Sequence, residues 1–86
     1  MGMYTVFLID DEIWALRGLQ NIIPWEEYGF CIKKTFLDSE EALQEALENA
    51  PDVIFTDVRM PEVDGLELIQ AIQNAGLNTQ IVIVSA

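Results

Sequence analysis

The stretch Val53-Ile54-Phe55-Thr56-Asp57-Val58-Arg59-Met60-Pro61-Glu62-Val63-Asp64-Gly65 decides how this chain is read. Its first four residues are apolar or β-branched, as expected of a short strand buried on both faces. The run ends abruptly at Asp57. A carboxylate at the tip of a buried strand has to be desolvated, so it needs a compensating cation or a chemical task. Beyond it, Pro61 fixes φ and Gly65 permits the backbone to turn, while Asp64 with Glu67 three residues later has the pattern of a capped helix start.

The same grammar extends in both directions. Residues 4–9 form a continuous apolar run that ends in Asp10-Asp11-Glu12. Ile13, Leu16, Leu19, Ile22 and Ile23 then recur at helical spacing over 12–23, stopped by Pro24. Residues 30–36 read as a second strand. Asp38 with Glu41 predicts a helix whose apolar face is Ala42, Leu43, Ala46, Leu47 and Ala50, closed by Pro51. A third helix carries Leu68, Ile69, Ile72 and Ala75 and closes at Gly76, and 80–84 is a fourth strand. The order βαβαβαβ calls for an α/β fold with a parallel sheet, right-handed crossovers and helices on both faces. In such open sheets, chemistry sits beyond the carboxyl ends of the strands, where strand order reverses. Asp10, Asp11, Asp57 and Ser85 all fall at those ends.

Composition narrows the function classes. The chain has 86 residues, four basic and fifteen acidic, for a net charge of −11. That length fits one domain, and that charge argues against direct contact with nucleic acid or an anionic membrane, which requires Lys and Arg. The single cysteine, Cys31, allows no internal disulfide. No apolar stretch approaches the roughly 20 residues of a spanning helix, so the chain reads as cytoplasmic. Cys31 is expected to be a small buried apolar residue. Trp14, Trp25, Tyr28 and Phe30 are expected in the core or at its margin, and Glu40, Glu41, Glu45 and Glu48 on a solvated helix face.

Carboxylates on adjacent strand ends, about 4.8 Å apart, would repel by ~4 kcal/mol at an effective dielectric of about 20. Asp10, Asp11 and Asp57 should therefore attract a divalent cation. All-oxygen ligation without His or thiolate fits Mg²⁺, which retains waters and engages phosphate oxygens. The chemistry this suggests is phosphoryl transfer to the Asp57 carboxylate. The plainer readings are that Asp57 caps a turn and that Asp10 and Asp11 cap a helix at its positive dipole end, the latter role expected together with metal binding.

The pair Asp10-Asp11 after the first strand, Asp57 after the third, the segment from Asp57 to Gly65, and Ser85-Ala86 after the fourth strand together resemble the receiver domain of two-component response regulators. The segments 11–19 and 23–30 resemble receivers joined to AraC-type DNA-binding domains. The resemblance implies a flavodoxin-like, CheY-like three-layer αβα fold with strand order 2-1-3-4. It implies that Asp57 is the phosphoacceptor of a sensor histidine kinase. Asp11, Asp57 and the backbone carbonyl of Arg59 would ligate Mg²⁺, with Asp10 acting through water and Ser85 as the switch hydroxyl. It also implies that residues 1–86 span the first two thirds of such a domain, before its fourth helix, a fifth strand bearing a lysine and an aromatic switch residue, and a fifth helix. Neither Lys33 nor Lys34 would replace that lysine, and phosphoryl transfer would suffer. DNA would be reached only through an output domain, and an uncovered fourth strand would favour self-association or exchange of elements between chains.

Two other classes compete. A pseudo-receiver would bind metal or a partner without phosphate. An aspartyl-nucleophile phosphatase needs a second acid two residues after its nucleophile, where this chain has Arg59. A dinucleotide-binding fold lacks its Gly-rich turn after the first strand.

Overall fold

A computed structural model of the chain describes residues 3–58, 60 and 63–84. The elements run β1 (Tyr4–Ile9), α1 (Ile13–Ile22), a 3-10 turn (Trp25–Tyr28), β2 (Phe30–Phe36), α2 (Ser39–Glu48), β3 (Val53–Thr56), α3 (Gly65–Asn74) and β4 (Gln80–Ile83). All strand pairs are parallel, in the order β2-β1-β3-β4. This is the expected doubly wound sheet.

β1 is central because it is buried on both faces. Phe7 and Ile9 join Ile54, Leu68, Ile72, Ala42, Ala46, Phe36 and Met60 in a core beneath α2 and α3. Val6 and Leu8 face the other way, with Leu16 and Trp25, against α1. Ala42 and Ala46, both fully buried, let α2 lie close to the sheet. Trp25 packs edge-on against Phe30 and Phe55, and its indole Nε1 donates to the Leu19 and Gln20 carbonyls at 3.3 and 3.2 Å. It thus satisfies acceptors that the end of α1 leaves without a helical partner.

β2 departs from simple alternation. Its pairing to β1 slips between Val6 and Phe7, whose partners are Ile32 and Lys34, so Lys33 is the extra residue of a bulge. The bulge reverses the faces: Phe30 and Ile32 pack toward α1, whereas Phe36 enters the opposite core. Lys34 extends over α2, where its Nζ pairs with Glu45 Oε1 at 3.1 Å. Hydrogen bonds from Asn49 and then Lys34 hold the Glu45 carboxyl below its ordinary value.

Several expectations need correction. Cys31 is exposed, because it alternates away from Phe30 and Ile32 on an edge strand. Trp14 and Tyr28 are 74% and 69% exposed, outside the core that Trp25 enters. Trp14 falls off the inward stripe of α1, and the Arg17 guanidinium lies 5.8 Å from its ring centre. Ile22 and Leu47, in the last turns of α1 and α2, are also exposed. Gly65 does not serve a turn by φ: among the described residues only Gly29 and Gly76 have positive φ, 84° and 72°. The reason for Gly65 is space, since a Cβ there would lie 2.7 Å from Ile83 Cδ1 and 3.3 Å from Val58 Cα.

Candidate functional site

The strands end in register. Ile9 pairs with Phe36 and Thr56, and Thr56 pairs with Ile83. The ladder then continues one residue further: Asp10 N donates to Phe36 O (3.1 Å), Asp57 N to Ile9 O (3.3 Å) and Val84 N to Thr56 O (2.8 Å). Parallel pairing therefore delivers Asp10 and Asp57 side by side at the carboxyl edge of the sheet.

One ligand oxygen from each of Asp10, Asp11 and Asp57 lies within 4.8 Å of the others. Asp10 and Asp57 are half-buried and Asp11 is exposed. Asp10 Oδ1 also accepts from the backbone N–H of Glu12 at 2.9 Å, closing a tight turn into α1. The cap of α1 is Glu12, whose carboxylate accepts from Trp14 N, so Asp10 and Asp11 are not the capping residues. Burial pushes the Asp10 carboxyl above its ordinary value. The Glu12 N–H opposes that shift, and the charges of Asp57, Asp11 and Glu12 add to it. A half-buried carboxyl that resists ionisation, set beside two further hard oxygen donors, is suited to a hard divalent cation.

The far side of the site is held by contacts that sequence reasoning missed. Thr56 is buried, and its hydroxyl donates to the Asp57 carbonyl at 3.0 Å. Met60 is buried in the α2/α3 core. Val63 N donates to the hydroxyl of the fully buried Ser39 at 3.0 Å, and Gly65 N donates to Val58 O at the same distance. Asp64 and Glu67 form the expected reciprocal capping box at the start of α3. The hydrophobicity of Met60 was a usable signal, whereas no sequence pattern links Ser39 to Val63. Of the expected site residues, the structure brings Asp10, Asp11 and Asp57 together. Arg59, Pro61 and Ser85 lie outside the described residues.

No helix among the described residues is long and apolar enough to cross a membrane. The profile of the family described as the response regulator receiver domain matches residues 6–86. The transcriptional regulatory protein HptR of Staphylococcus aureus is 37% identical over 84 residues, covering 98% of this chain and 32% of that protein. The receiver domain of AraT, a response regulator from Geobacillus stearothermophilus, is 31% identical with a TM-score of 0.86, over 96% of this chain and 64% of that one. CheY in the CheX–CheY–BeF3–Mg complex from Borrelia burgdorferi is 27% identical with a TM-score of 0.80, over 96% of this chain and 62% of that one. The chain thus spans about a quarter to a third of the length of the curated relatives it matches. A doubly wound sheet with order β2-β1-β3-β4, three acids at its carboxyl edge and these likenesses place the chain in the response regulator receiver domain family.

Proposed function

We propose that residues 1–86 are the N-terminal part of a cytoplasmic receiver domain in which Asp57 accepts a phosphoryl group from a sensor histidine kinase. The observation that carries this reading is the convergence of Asp10, Asp11 and Asp57 within 4.8 Å, built by strand register. An Asp57 carboxylate oxygen attacks phosphorus in line. The bond from phosphorus to the kinase imidazole nitrogen breaks, and an acyl phosphate remains on Asp57. Asp11, Asp57 and the Arg59 backbone carbonyl would hold Mg²⁺, with Asp10 acting through water, and Ser85 would hydrogen-bond the phosphoryl oxygens. When bound, Mg²⁺ supplies positive charge that offsets both the acid cluster and the incoming phosphoryl oxygens. The BeF3 and Mg in the CheY complex support this assignment by likeness.

The output would be transcriptional, through a DNA-binding domain of AraC type. The name of HptR supports the transcriptional part of that reading. The 86-residue chain by itself would associate through the edge of β4. Intact-mass measurement of the full-length protein, incubated with Mg²⁺ and a small acyl phosphate donor, tests the central claim. The unmodified protein should gain one phosphoryl group, and Asp57→Asn should gain none. Mg²⁺ binding without any such gain would overturn the reading in favour of a pseudo-receiver.

A further inference from the structure

Two polar side chains are fully or almost fully buried among the described residues, Thr56 and Ser39. Thr56 bonds its immediate neighbour. Ser39 instead reaches across the molecule. It is the first residue of α2, yet its Oγ accepts the backbone N–H of Val63, 24 residues along the chain. Val63 lies between Asp57 and α3, outside the strands and helices, so its N–H must find a partner elsewhere. A hydroxyl with no exposed surface has no water to compete for that bond, which makes it a fixed anchor.

The other anchors hold different points of the same connection. Gly65 N closes onto Val58 O, Met60 is inserted in the α2/α3 core, and Asp64 caps α3. Without Ser39, Val63 loses that hydrogen bond, and the connection is left with its packing against the α2/α3 core and the bond at Gly65. Asp10 and Asp11 are carried separately, on the β1–α1 connection. Strand register sets the backbone spacing of Asp57 from Asp10, and the connection after β3 adds a second constraint on it.

We propose that Ser39 is a positioning residue for the acid cluster: its buried hydroxyl pins Val63 and thereby maintains the spacing of Asp57 from Asp10 and Asp11 that favours a divalent cation. The proposal rests on the reading of that cluster as a Mg²⁺ site. It is tested by calorimetric Mg²⁺ titration of the full-length protein, with exchange of the Val63 amide hydrogen followed by NMR. Ser39→Ala should raise the Mg²⁺ dissociation constant about three- to tenfold and accelerate Val63 exchange. Ser39→Cys, which keeps the side-chain size but offers a weaker acceptor, should shift both in the same direction by less. Ile32→Ala removes a contact from the opposite core, to which Val63 does not belong, so it should lower the melting temperature and leave the Mg²⁺ constant unchanged. An unchanged constant in Ser39→Ala alongside faster Val63 exchange would overturn the proposal. So would an equal rise in Ile32→Ala, which would reduce the effect to general destabilisation. Failure of the unmodified protein to bind Mg²⁺ would instead overturn the underlying site reading, and this proposal with it.

Discussion

Asp10 carries two roles whose demands conflict. Its Oδ1 closes the turn onto the Glu12 N–H at 2.9 Å, while its charge sits within 4.8 Å of ligand oxygens on Asp11 and Asp57. Asparagine keeps the acceptor and removes the charge. With divalent cations removed by EDTA near neutral pH, Asp10→Asn should therefore melt about 3–6 °C higher than the unmodified protein, from relief of ~1 kcal/mol of repulsion. Saturating Mg²⁺ should narrow or reverse that difference, because a ligand stabilises most the form that binds it best. Scanning calorimetry under both conditions decides the matter, and a lower melting temperature for Asp10→Asn in EDTA would show that the lost charge was not the dominant cost. The aspartates were legible in the sequence as acids at strand tips. Ser39 was not, since its partner is remote and a serine beside a capping Asp38 looks like ordinary helix-start chemistry.

At the scale of elements, the start of α3 is pressed against β4. Gly65 has no exposed surface to spare, and a methyl group there would meet Ile83 Cδ1 at 2.7 Å and the Val58 backbone at 3.3 Å. Gly65→Ala should cost about 1–3 kcal/mol, by pushing α3 away from the strand ends that carry the site. Ile83→Val removes the nearest offending methyl, so the double variant should recover part of the loss in denaturant unfolding. Strictly additive losses would mean that the clash is relieved elsewhere. The helix itself was readable from Asp64, Glu67 and its apolar spacing. The need for glycine was readable too, but its cause was assigned to the turn, and only the approach of Ile83 shows that it is steric.

Among the described residues, the two-sided core is centred on β1, and β2 and β4 are the outer strands of the sheet. On β4 and just beyond it, Val82 and Val84 are 40% and 39% exposed. Against pairing of that edge stands a net charge of −11, which repels a second copy at low salt. The 86-residue chain should consequently show a sedimentation coefficient that rises with concentration, and more steeply at high salt, where screening shortens the reach of charge to a few Å. Val82→Lys should suppress the association by placing charge on the exposed edge. A concentration-independent monomer at high salt would overturn this expectation.

The sequence by itself determined the order of elements, the parallel sheet and the acids at its carboxyl edge. Each of these depends on local periodicity or on a residue's place at the end of an apolar run, and neither needs knowledge of distant neighbours. Only the tertiary structure decided which side chains are buried and what fixes the geometry of the site. The bulge at Lys33 sends Phe36 to the opposite face from Phe30, which simple alternation cannot anticipate. Trp25 enters the core while Trp14 stays in solvent, although both follow an apolar residue, because only Trp25 lies over Phe30 and Phe55. The spacing of Asp57 from its companions rests on strand register and on contacts such as Ser39 to Val63, and contacts between residues far apart in sequence leave no periodic trace within it.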